Sequence, residues 1–149
     1  MKAANHNPKP VFKKGPIEPE FISKSIAKHT TKTGIGAHDI FLGQVRADTI
    51  AGKQVAGIEY TAYEEMAETE FHKIREAAFD QFDMVCMHIY HSLGVVRAGE
   101  ISLFVFVSTA HRAEAFKAIE YLVREIKHKV PIFGKEFFTD DTYQWKENK

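Results

Sequence analysis

Glu100 to Thr109 (EISLFVFVST) and the residues that follow it constrain this fold more than any other stretch. Read as a strand, the segment carries Ile101, Leu103, Val105 and Val107 on one face and Phe104 and Phe106 on the other. Both faces need cover, so the strand belongs in the interior of a sheet. The pattern then changes period. From His111 to Val130 the apolar residues Phe116, Ile119, Val123, Ile126 and Val130 recur at helical spacing. Pro131 ends that helix, because the residue before a proline is pushed out of the α region.

The remaining elements are read around this pair. His38 to Ala47 and Gln54 to Tyr63 read as strands, with Asp48 to Lys53 supplying the turn chemistry of a hairpin or a longer loop. Glu64 to Phe82 is a helix whose inner face is Phe71, Ile74, Ala78 and Phe82. Met84 to His91 is a further strand, joined to the central one through Ser92-Leu93-Gly94 and Ala98-Gly99. Glu20 to Lys28 fits a strand or a short helix equally well. The tail, Ile132 to Trp145, reads as an edge strand or a docking arm. The order β-β-α-β-β-α implies a single α+β domain over residues 17–149, with helices packed on a mostly antiparallel sheet. Residues 1–16, rich in Lys, Pro and Asn, read as a flexible arm.

Composition bounds the function. A chain of 149 residues is long enough for one self-sufficient core. Twenty basic and twenty acidic residues leave no global field for nucleic acid or an anionic membrane, so any anion site is local. No apolar window is long enough for a membrane span. The single cysteine, Cys86, excludes an internal disulfide and fits a reducing, cytoplasmic setting. Lying mid-strand among Val85, Met87 and Ile89, it reads as a small buried hydrophobe. His88 and His91 would face opposite sides of their strand, and no metal is expected.

Three places can carry chemistry. At Ser108-Thr109-Ala110-His111-Arg112 a buried strand meets a helix start, whose unpaired N–H groups, with His111 and Arg112, suit a phosphate or carboxylate. The alternative is that Ser108 or Thr109 simply caps the helix. Lys117, Arg124, Lys127 and Lys135 form a second basic set, readable as a site or as a solvated face. Arg46 ends a strand after Gly43 and suits either a substrate anion or an acidic neighbour.

Taken in order, several pieces of the chain resemble the large, catalytic subunit of molybdopterin synthase, the MoaE family. They are Phe41-Leu42-Gly43-Gln44-Val45-Arg46, Ile58-Glu59-Tyr60 with Tyr63 and Met66-Ala67, His91-Ser92-Leu93-Gly94, and Val96 with Gly99-Glu100. Val107 to Arg112 with Ala115-Phe116, Lys127 four residues before Pro131, Lys135-Glu136 and Trp145 complete the set, which spans roughly residues 20–147. The resemblance implies an α/β-hammerhead-like fold. It also implies conversion of cyclic pyranopterin monophosphate into molybdopterin by two sulfur transfers, in molybdenum cofactor biosynthesis. The sulfur would come from the thiocarboxylated Gly-Gly terminus of a ubiquitin-like small subunit, in a heterotetramer built on a large-subunit homodimer, with no cofactor. A chain supplied in this way needs no sulfur nucleophile of its own, in keeping with the setting of Cys86.

By the same resemblance Lys127 and Lys135 are the catalytic residues. Arg46, His111 and Arg112 bind the pterin phosphate substrate, and Phe41 and Val123 shape the pocket wall. One position departs from the family. The first of two lysines expected after the Pro131-Ile132-Phe133 run is Gly134 here. Either Lys135 reaches the site in its place, or the position is dispensable, or the protein is a weak enzyme. Two other classes of function stand beside this one: a non-enzymatic, anion-binding regulatory α+β module, and an adaptor binding through Phe137, Phe138, Tyr143 and Trp145.

Overall fold

The structure, a computed structural model, describes residues 10–146. In chain order the elements are β1 (Phe12–Lys14), α1 (Pro19–Ala27), β2 (Ala37–Gln44), β3 (Thr49–Ile50), β4 (Lys53–Ala62) and α2 (Glu64–Gln81). Then follow β5 (Cys86–Arg97), β6 (Ile101–Thr109), α3 (Arg112–Lys129), β7 (Ile132–Phe138) and β8 (Tyr143–Trp145). The sheet runs β2-β6-β5-β4-β7-β8, antiparallel throughout, with β3 paired to β4 and β1 added parallel to β5. This is the α+β architecture expected.

The double-faced strand is covered on both sides, as its sequence requires. On one side α2 and α3 pack Phe71, Ile74, Ala78, Ala115, Ala118, Leu122 and Ile126 against Met87, Ile89, Leu103, Val105 and Val107. On the other, Ile17 and the α1 residue Ile22 cover Phe104 and Phe106, both fully buried. Each such ring contributes about 2–3 kcal/mol relative to exposure.

Several expectations are corrected. The inner face of α3 is Ala115, Ala118, Leu122 and Ile126, while Phe116 is 60% exposed. The alanines are small enough to let the helix approach β6 closely, which turns the larger Ile119 and Val123 toward β2. In α2 the buried face adds Ala67 and Phe79, and Phe82, the extended C-cap residue, packs half-buried against the same core. Residues 92–94 form no loop. β5 runs through them, bending where Gly94 takes φ +86°. Its first half pairs with β6 and its second with β4. The hairpin is β3–β4, turned by Ala51-Gly52 with both φ positive, whereas β2 pairs with β6 at the edge. Glu20 to Lys28 lies in helix α1 and the turn that follows it. Within the expected N-terminal arm, Val11 is buried and β1 pairs with β5, so residues 11–14 pack onto the sheet; residues 1–9 lie outside the described residues. The tail supplies β7, an interior strand between β4 and β8.

Candidate functional site

The residue before Pro131, Val130, takes an extended φ/ψ of −85°, 129°, and turns the chain from α3 into β7. Lys127, in the last helical turn, is therefore held half-buried over the sheet rather than in solvent. It forms a wall common to two cavities. One, about 320 Å³, is bounded by Tyr60 of β4, His91 of β5, Phe133 and Gly134 of β7, Trp145 of β8 and Lys146. The other, about 600 Å³, lies between β2 and α3 and is walled by Phe41, Ile119 and Val123. Of the expected residues, Lys127, Phe41 and Val123 are thus brought together.

The electrostatics of the first cavity are set by burial. Desolvation, and then the neighbouring Lys146 ammonium, lower the Lys127 pKa below that of an ordinary lysine. His91 is almost wholly enclosed, and desolvation lowers its pKa from 6.5 to about 4. The hydrogen bond it donates from Nδ1 to the Ser92 carbonyl (2.8 Å) opposes that shift, and Lys127 reinforces it. Because a carbonyl only accepts, Nδ1 carries the proton and Nε2 the lone pair. The Tyr60 hydroxyl donates to Ser102 Oγ at 3.2 Å, and burial raises its pKa. The cavity therefore offers lysine cations, a neutral imidazole and a neutral phenol at neutral pH.

Lys135 is not in this cavity. Neighbouring residues of a strand point to opposite faces, so with Gly134 turned inward Lys135 is turned away. Its ammonium pairs with Glu59 at 3.3 Å and lies 4.8 Å from the Tyr143 ring centroid. The space at Gly134 is taken by its neighbours. A Cβ there would meet Ile58 Cγ2 at 3.0 Å, and Lys146 Cβ and Tyr60 Cε1 at 3.6 Å. The Lys146 N–H donates to the Gly134 carbonyl at 2.7 Å, which fixes this lysine at the cavity rim. Lys146 and His91 are the residues that sequence reasoning left without a role. The available signal was the lysine directly after Trp145 and a histidine on the inward phase of β5.

The anion-binding candidates stand apart from one another within one chain. His111 is the N-cap of α3 and makes no side-chain cap, and Arg112 follows it, both exposed. Neither Ser108 nor Thr109 caps the helix: Ser108 Oγ is hydrogen-bonded with His38 Nδ1 at 2.7 Å, and Thr109 Oγ1 donates to the His111 carbonyl at 2.7 Å. About 22 Å of helix separates Arg112 from Lys127. Arg46 follows the far end of β2, about 24 Å along the strand from the end beside His111. There its guanidinium grips the Asp48 carboxylate through Nε and Nη2, each at 3.2 Å. The acidic neighbour is the partner it has in this chain.

Relatives of known structure and sequence share this frame. A molybdopterin synthase structure from Staphylococcus aureus superposes with a TM-score of 0.77 at 31% identity, covering 89% of this chain and 92% of that one. A Helicobacter pylori complex of subunits 1 and 2 of molybdopterin-converting factor, 22% identical, shares the fold with a TM-score of 0.78 over 93% of this chain and 90% of that one. The molybdopterin synthase catalytic subunit of Aspergillus fumigatus is 39% identical over 122 residues, which is 82% of this chain. The match spans only 64% of that fungal protein's length. The subunit of the same name from Pyrococcus abyssi is 39% identical over 117 residues, 78% of each chain. The family model described as MoaE protein matches residues 14–129, and the chain belongs to the MoaE family.

Proposed function

We propose that this chain is the catalytic subunit of a molybdopterin synthase. In this reading it converts cyclic pyranopterin monophosphate to molybdopterin with sulfur delivered by the C-terminal thiocarboxylate of a ubiquitin-like small subunit. The observation that carries the reading is Lys127, half-buried and depressed in pKa at the wall between two cavities. One cavity receives the extended Gly-Gly tail and the other the pterin. A lysine whose pKa is lowered toward neutrality exchanges protons as each acyl group leaves, while its ammonium form polarises the thiocarboxylate. Lys146 supplies the second cation that the family places at the position of Gly134, and Lys135 acts only on the outer face.

A second copy of the chain completes the site. His111 and Arg112 lie a helix length from Lys127, so their phosphate is bound where another protomer's helix start meets this groove. The edge position of β2, paired on one side only by β6 among the described residues, supports a homodimer along this edge.

The test is a single-turnover assay with thiocarboxylated small subunit and the cyclic pyranopterin, with molybdopterin read as its fluorescent oxidation product. Product formed by the wild type and lost in Lys127→Ala, with complex formation retained, is the expected result. A complex that forms but yields no product with the wild type, beside a working control enzyme, identifies a non-enzymatic relative and refutes the assignment.

A further inference from the structure

On the face of the sheet opposite Lys127, the turn after α1 brings together three donors that are far apart in sequence: His29, Cys86 and His88. Their ligand atoms all lie within 4.8 Å of one another, and His29 and Cys86 are 7% and 9% exposed. His88 and His91 face opposite sides of β5, and the partner of His88 is His29, 59 residues away. We infer that these three side chains form a binding site for a zinc-type divalent transition ion, which would tie the end of α1 to β5.

The geometry supports this in three ways. His29 Nδ1 lies 2.7 Å from the Ser25 carbonyl, an acceptor only, so Nδ1 holds the proton and Nε2 presents its lone pair. A backbone carbonyl fixing the far nitrogen is the usual setting of a metal-bound histidine. That lone pair faces His88 Nε2 at 3.1 Å, close to the separation of about 3.4 Å between two imidazole nitrogens on a tetrahedral zinc. The ring of Phe106 lies 4.7 Å from that of His29 and 6.1 Å from that of His88, so the donors are walled by apolar surface. A further imidazole, His38, has its ring centroid 6.0 Å from that of His29 and its Nδ1 hydrogen-bonded with Ser108 Oγ, so the chain supplies three donors and leaves the fourth position to solvent. Mixed imidazole and thiolate donors select zinc and its neighbours over magnesium or calcium. Binding releases the Cys86 thiol proton to solvent and moves the His88 proton from Nε2 to Nδ1.

The experiment uses the full chain without a histidine tag, stripped with chelator and titrated with cobalt(II). One equivalent should give visible d–d bands of tetrahedral intensity and a thiolate-to-cobalt charge-transfer band, with zinc displacing the cobalt and raising Tm as its concentration rises. Cys86→Ser should lose the charge-transfer band, and His88→Ala should weaken cobalt binding by at least about tenfold, each with wild-type far-ultraviolet circular dichroism. A wild-type spectrum that stays octahedral, or a charge-transfer band that survives Cys86→Ser, overturns the site. The wild-type titration decides the matter even if a variant fails to fold.

Discussion

His91 gives the most quantitative expectation. In the unfolded chain its imidazole titrates near 6.5; in the native state burial holds it at about 4. Between these values the native state binds fewer protons than the unfolded one, so the contribution is fully present above pH 6.5 and is lost as pH falls toward 4. The gap corresponds to about 3 kcal/mol. For a chain of 149 residues that is a fall in Tm of about 10 °C. His38, whose pKa burial and His29 also lower, acts in the same direction, so the wild-type curve alone does not isolate His91. Asp140 titrates below this window, at about 2, and stays out of it.

The assay is therefore a difference. Urea unfolding of the wild type and of His91→Gln, which keeps a neutral donor for the Ser92 carbonyl, is followed from pH 7.5 to 4.5. The variant should be less stable at pH 7.5, and most of that deficit should vanish by pH 4.5, because the wild type alone forfeits the term. The native His91 ring signal in NMR should remain that of neutral imidazole down to pH 5. Parallel stability curves, or a native His91 titrating near 6.5, would refute the reasoning and remove the neutral imidazole from the description of the cavity.

Other expectations follow from the same geometry. Lys127→Ala should slow single-turnover product formation by about 100-fold or more, while Lys135→Ala, whose ammonium pairs with Glu59 outside the cavity, should stay within about threefold; equal losses would reverse the assignment of the two lysines. Lys146→Ala removes the cation that helps lower the Lys127 pKa, so the limb of the pH–rate profile that reports Lys127 should move to higher pH, and an unmoved limb would break that coupling. Gly57→Ala places a Cβ 2.7 Å from the Val96 carbonyl oxygen and 2.6 Å from Phe137 Cζ, and should destabilise by about 2–3 kcal/mol. Gly34→Ala, with nothing within 4 Å, is its control and should melt within about 2 °C of the wild type.

What the sequence disclosed and what it hid divide along physical lines. Period and punctuation disclosed β6, α2, α3 and the stop at Pro131, because a two-faced apolar strand and a proline act locally. The inner face of α3 was misjudged because size was read as burial. Ala115 and Ala118 are buried against the sheet at 1% and 0% exposure, whereas Phe116, one position further round the helix, is 60% exposed. The continuity of β5 through Ser92-Leu93-Gly94 was hidden because a glycine at positive φ marks a bend as well as a turn. Lys127 was singled out by the family resemblance, and the structure places it on the walls of two cavities. Lys135 was misplaced by one residue of strand phase, a distinction that requires the register of β7 against β4. His29 and Lys146 could not be found by spacing, since their partners lie 59 residues away in one case and across a β-hairpin in the other.

That phase error bears directly on the proposed exchange of a lysine at position 134 for Lys146. A lysine at 134 would project into the cavity from β7, whereas Lys146 enters it from the far side of the β7–β8 hairpin, with its Cβ 3.6 Å from where a Gly134 Cβ would stand. The two arrangements put an ammonium into the same cavity from different backbones, and both cannot be accommodated unchanged. Restoring the lysine would bring a third cation beside Lys127 and press its Cβ against Ile58 Cγ2. Gly134→Lys alone should therefore lower the Lys127 pKa further and reduce activity, while Gly134→Lys combined with Lys146→Ala should recover it. Non-additivity of this sign is what exchange of one charge between two strands requires, and simple additivity would mean that Lys146 is only a surface residue near the site.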